Sequence, residues 1–142
     1  MFELDKQLVA DTHRVGDFPL CTLLMMKDAN YPWFILVPRR KQMREIFQLS
    51  VPDQQQLLLE SSHLAEVLDD VFAADKINIA ALGNVVSQLH VHHIVRYRAD
   101  PAWPKPVWGH APAKPCTPAE IKARIDKLRG MLGAGFSFSE TD

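Results

Sequence analysis

The chain has 142 residues, and 16 Lys plus Arg against 17 Asp plus Glu leave a net charge of -1. Hydrophobic residues make up 47% and charged residues 23%. That excludes a wholly disordered chain, and the balanced charge excludes the basic excess of a bulk nucleic-acid binder. A chain of this length buries roughly 68–70% of its unfolded surface, enough for one domain without a disulfide or metal staple. The two cysteines, Cys21 and Cys116, have no paired spacing and are expected as reduced thiols.

The first residues, Met1-Phe2-Glu3-Leu4-Asp5-Lys6, lack a basic region followed by an apolar one. No apolar run approaches the length of a membrane span, so a cytoplasmic protein without membrane contact is expected. Leu4, Leu8, Val9 and Val15 recur with a helical period, which predicts a short helix ending near Gly16. Residues 18–27 and 32–38 read as two strands around the turn Asp28-Ala29-Asn30, an antiparallel hairpin. The basic run Arg39-Arg40-Lys41 follows, read first as a solvated strand end.

Ser50-Val51-Pro52-Asp53 predicts a helix start, with a capping hydroxyl, an early Pro and an acid in the first turn. Leu57, Leu64, Val67, Leu68 and Val71 continue it to about residue 74. Strands are expected at 77–82 and 88–97. Six of the ten prolines then fall between Asp100 and Pro118, which forbids a regular helix or central strand there. Trp103 and Trp108 lie in this arm and should cap the site or pack on a second chain. Thr117-Pro118-Ala119-Glu120 is a capping box opening a last helix, and the tail from Ser137 should fray. The expected fold class is α+β, a mostly antiparallel sheet with a long helix on it and a C-terminal helix after the proline-rich arm.

Strand alternation places Gln88, His90, His92, Ile94 and Arg96 on one face of the 88–97 strand, and Leu89, Val91, His93 and Val95 on the other. One face suits a core and the other polar chemistry; His93, on the apolar side, is read as structural. His90 and His92 side by side leave three readings: a polar sheet face, a metal site completed by His63, His110 or Asp100, or phosphate chemistry by a histidine nucleophile.

The segment Gly83-Asn84-Val85-Val86-Ser87-Gln88-Leu89-His90-Val91-His92-His93-Ile94-Val95-Arg96 resembles the signature of the histidine triad (HIT) family of nucleotide hydrolases and transferases. Three histidines alternate with apolar residues in that signature, after a Gly-Gln-Ser/Thr turn. With Gly83 and Arg96 as anchors, Gln88 falls at the first histidine, His90 at the second and His92 at the third. Asn84 and Val85 replace the usual Gln and Ser/Thr. The resemblance extends back through the hairpin and covers about residues 2–104. It implies a HIT-like domain over 1–104, with 105–142 as arm and C-terminal helix of the same globular unit.

The resemblance implies a catalytic set of His90, His92 and Gln88. His90 attacks the α-phosphorus, His92 hydrogen-bonds a phosphate oxygen, and Gln88 donates to the phosphate or leaving group. Asp28 would accept from ribose hydroxyls and Asn84 would face the phosphates. No metal or other cofactor is required for this step. The partners implied are a nucleotide or nucleotide-conjugate substrate and a second copy of the chain in a homodimer. A nucleotide-binding module without turnover is the alternative, since Gln88 can neither carry a positive charge nor relay a proton.

Overall fold

The computed structural model describes residues 1–139. Helices α1 (Lys6–Asp11), α2 (Val51–Val71) and α3 (Pro118–Leu128) accompany six strands: β1 (Thr12–Asp17), β2 (Cys21–Met26), β3 (Trp33–Pro38), β4 (Lys76–Ala80), β5 (Val91–Arg96) and β6 (Ser137–Phe138). They form one antiparallel sheet in the order β4-β5-β3-β2-β1-β6. No helix of the described residues is long and apolar enough to cross a membrane.

Both faces of the sheet are covered, with strand alternation sorting side chains between two cores. On one face Leu23, Met25, Phe34, Leu36, Val91 and Val95 pack against Leu57, Leu64 and Leu68 of α2 and Ile125 and Leu128 of α3. On the other, Leu24, Trp33, Ile35, Val37 and Ile94 meet Leu8 of α1 and Ala102 and Val107 of the arm. The face expected to be polar is therefore roofed, and His90 and His92 are buried beneath the roof.

Both capping predictions hold: Ser50 accepts from the Asp53 amide, and Thr117 and Glu120 form a reciprocal capping box. Each satisfies amides that a helix start leaves without partners. Helix α2 is held to the sheet by buried Glu60, whose carboxylate accepts the amides of Leu20 and Cys21 at 2.8 and 2.9 Å.

The sequence reading fails at both ends. The expected first helix stops at Asp11, and Thr12–Asp17 is a strand. The Thr12 hydroxyl donates to the Leu8 carbonyl at 2.6 Å and closes α1 as the backbone turns extended. Leu4 to Val15 mixed a helical period with a β alternation too short to separate from it. At the other end, Ser137 and Phe138 pair with Asp17 and Gly16, so that part of the tail is ordered as β6; residues beyond 139 lie outside the described residues.

The arm is ordered against the fold. Ala29 donates to the Lys114 carbonyl at 2.7 Å, and the Asn30 side chain donates to that of Pro112 at 3.1 Å. Trp103 lies over Arg96, whose guanidinium sits between this indole and the Tyr31 ring, 5.8 and 5.7 Å from their centres.

Candidate functional site

The strand that carries the histidines is shorter than its alternation suggests. It starts at Val91, so Gln88, Leu89 and His90 belong to the segment that leads into β5. The Leu89 amide donates to the Met43 carbonyl at 2.8 Å and ties this segment to the loop after β3. Gly83 opens the turn beneath it. A Cβ there would stand 2.7 Å from the Val86 carbonyl oxygen, so the close backbone approach needs glycine.

His90 Nδ1 lies 2.6 Å from the backbone carbonyl of Gln88. A carbonyl only accepts, so Nδ1 carries the proton, and Nε2 of the neutral ring holds a free lone pair. Nε2 makes no hydrogen bond among the described residues. His90 lines two cavities of about 270 Å³ each. One is mostly apolar, walled by Leu8, Trp33, Ile35, Leu82, Val86 and Trp108, with Gln7 and Asp11 of α1 at the polar side. The other is mostly polar, walled by Arg44, Glu45, Gly83, Asn84, Ser87 and Gln88.

His92 is the neighbour of His90, with ring centres 4.8 Å apart. Its two nitrogens are both engaged. The Trp33 indole N–H donates to Nδ1 at 3.0 Å, which makes Nδ1 an acceptor; Nε2–H then donates to the Leu82 carbonyl at 3.2 Å. Burial pushes the His92 pKa down to about 4, and the adjacent His90 adds to the effect. The ring is thus neutral at pH 7. Trp108 closes over it, 5.0 Å between ring centres, as the capping alternative for the arm requires.

Asn84 lines both cavities beside His90. Gln88 lines the polar cavity, but its amide is tied to the N-terminal segment: Oε1 accepts from the Asp5 amide and Nε2 donates to the Glu3 carbonyl, both at 2.8 Å. Asp28 is placed elsewhere. It is buried in the hairpin turn, where Oδ1 accepts from the Asn30 and Lys114 amides at 2.9 and 3.2 Å. Arg124 of α3 caps that turn through the carbonyls of Asp28 and Ala29. Asp28 lines neither cavity.

His93 is fully buried on the α2 side, where Nε2 meets the Ser61 hydroxyl at 2.7 Å and Nδ1 the Val91 carbonyl at 3.1 Å. Among the described residues, no further His, Cys, Asp or Glu, His110 included, joins His90 and His92 in a group that could hold a metal ion. Asp100 is bonded to Arg96 and to the amides of Tyr97, Ala102 and Trp103, and His63 to the Leu132 carbonyl. Of the basic run, Arg39 is bonded to the carbonyls of Phe18 and Pro19 and Arg40 to Asp53, so both guanidinia serve the fold.

Sequence reasoning missed Trp33 as a partner of His92, and missed Arg44 and Glu45 altogether. Trp33 shows no signal beyond its apolar strand. Arg44 lies in a loop whose approach to Gly83 depends on the Leu89–Met43 hydrogen bond.

Comparison with known proteins identifies the family and the fold. A model of the HIT domain matches residues 7–99. A crystal structure of a histidine triad protein from Marinobacter aquaeolei VT8 superposes with a TM-score of 0.90 at 52% identity, covering 93% of this chain and 96% of that one. Histidine triad proteins from Bradyrhizobium japonicum and Sinorhizobium meliloti 1021 give TM-scores of 0.91 and 0.90 at 45% and 41% identity, over 93% and 92% of this chain and 98% and 97% of theirs. No curated protein matches the sequence. On the family model and these structures together, the chain belongs to the histidine triad family and has its fold.

Proposed function

We propose that the protein is a nucleotide phosphate hydrolase or nucleotidyl transferase that works through a covalent nucleotidyl-histidine on His90. Gln88 stands where the family signature has its first histidine. The observation that carries this reading is the 2.6 Å bond from His90 Nδ1–H to the Gln88 carbonyl. It fixes the one tautomer whose Nε2 lone pair is free at the junction of an apolar and a polar cavity. The apolar cavity suits a base and sugar, and the polar one suits phosphate. Asn84, which borders both, is positioned to donate its amide to a bridging phosphate. His92 acts by holding this geometry; meeting a phosphate oxygen would require Nε2–H to leave the Leu82 carbonyl. The step uses no metal or cofactor.

Two chains pair in this proposal. Supporting it, β4 is a sheet edge, and Leu58 and Leu59 on α2 and Ile79 on β4 are exposed apolar side chains. The assignment to the cytoplasm rests on the thiols Cys21 and Cys116, which are unpaired.

One observation favours a second reading, a nucleotide-binding module without turnover: the Gln88 amide and both His92 nitrogens are already bonded within the protein. Release of nucleoside monophosphate from a dinucleoside polyphosphate decides between the two. The proposal expects release by the wild type and none by His90→Ala. Saturable binding of the nucleotide with no release would replace it by the second reading.

A further inference from the structure

The two cavities at His90 differ in what they can hold. The polar one contains one cation, Arg44, among its lining residues. Its guanidinium makes no hydrogen bond or ion pair among the described residues, whereas Arg39, Arg40 and Arg96 are all committed to protein acceptors. The backbone that carries it is fixed, because the amides of Arg44 and Glu45 both donate to Gln48 Oε1 at 2.9 and 3.0 Å. An anchored main chain thus sets Arg44, whose guanidinium has no partner among the described residues, in the wall of the cavity shared with the nucleophile. A planar cation with several N–H donors is suited to phosphate oxygens.

Proton donors are scarce in the same place. Gln88 carries no transferable proton, and its amide is held by Glu3 and Asp5. The Nε2–H of His92 is directed to the Leu82 carbonyl. An amine leaving group must be protonated as its bond to phosphorus breaks. A phosphate leaving group departs as an anion and needs only positive charge nearby.

We infer that the Arg44 cavity is the leaving-group site and that it selects an anion, which makes nucleotide anhydrides the substrate class in preference to nucleoside phosphoramidates. The inference rests on His90 as the nucleophile. In the step it describes, the Nε2 lone pair forms the bond to the α-phosphorus, and the bond from that phosphorus to the bridging oxygen breaks. The electron pair stays on the departing phosphate, beside Arg44. No proton is transferred, and Nδ1–H stays on the Gln88 carbonyl. Water then forms a new P–O bond, the P–N bond breaks, its pair returns to Nε2, and one proton passes to solvent.

The competing assignment within the same cavity is Glu45 as a proton donor to an amine. The test compares kcat/KM for a dinucleoside triphosphate and a nucleoside 5′-phosphoramidate of the same nucleoside, in the wild type, Arg44→Ala, Arg44→Lys and Glu45→Gln. Arg44 and Glu45 are exposed, so circular dichroism should find each variant folded. The expected result is a wild-type preference for the anhydride. Arg44→Ala should shrink that preference at least about tenfold, and Arg44→Lys should restore part of it. A wild-type preference for the phosphoramidate that Glu45→Gln abolishes would overturn the inference, as would an anhydride preference that Arg44→Ala leaves intact. Labelling of His90 separates the two levels. Adducts from both substrates with no Arg44 effect on the preference would refute only the leaving-group assignment. No adduct from either would refute the nucleophile reading beneath it as well.

Discussion

Ser61 on α2 and His93 on β5 meet across the main core in a buried hydrogen bond of 2.7 Å. The Val91 carbonyl takes Nδ1–H, so Nε2 is the acceptor and Ser61 the donor. His93 therefore fills a role that an apolar residue on that face could not. His93→Val should cost roughly 1–3 kcal/mol, because it leaves the Ser61 hydroxyl buried and unpaired. Adding Ser61→Ala should recover part of that loss. Urea unfolding of the two single variants and the double variant measures both, and a His93→Val as stable as the wild type would refute the role.

Acid should destabilise the fold within a defined window. Burial lowers the pKa of His92 and of His93 to about 4, while an unfolded histidine titrates near 6.5. Between those values the unfolded chain binds more protons than the folded one, so stability falls as pH drops from about 6.5 to about 4. Above that window the two residues add no pH dependence. The expected loss is on the order of 2 kcal/mol per histidine by pH 5. Urea midpoints at pH 7.5 and pH 5 check it, and a slope that is unchanged in His93→Gln would rule out His93 as a source.

Trp33→Phe removes the only N–H that holds His92 Nδ1 as an acceptor among the described residues. The His92 ring should then populate both neutral tautomers, visible in its ¹⁵N shifts, and turnover should fall about tenfold through loss of order beside His90. An unchanged tautomer pattern would show that Leu82 alone fixes the ring.

Arg96 and Asp100 form a bidentate ion pair in which each side chain is 2% exposed. Asn78 takes another guanidinium N–H at 2.7 Å, and the amides of Tyr97 and Trp103 complete the carboxylate. Asp100→Ala would strand a buried cation and should cost about 3–5 kcal/mol. Thermal unfolding of that variant is the check, and a drop of under about 1 kcal/mol would mean that water replaces the carboxylate.

Much of this was legible in the residues. The long helix announced itself by its cap and leucine spacing, and the last helix by Thr117 and Glu120. The alternation around His90 and the match of residues 83–96 to the HIT signature indicated the fold, and the family model and solved structures show it. What could not be read is what depends on contacts distant in sequence. Gln88 reaches back 83 residues to Asp5, and Trp33 reaches His92 from the strand two places along in the chain's order. Asp28 read equally well as a turn former or a ribose acceptor, since only one of its two hydrogen bonds is local, from Asn30, and the other comes from Lys114, 86 residues away. The face that carries His90 reads as polar because nothing local reveals the roof of α1 and the arm.

Covalent nucleotidylation of His90 is read by intact mass spectrometry of the protein quenched during turnover of a dinucleoside polyphosphate. The expected spectrum gains one nucleoside monophosphoryl group that maps to His90 and is absent from His90→Ala. An adduct on His92, or continuous turnover with the protein unmodified and His90→Ala fully active, would contradict it.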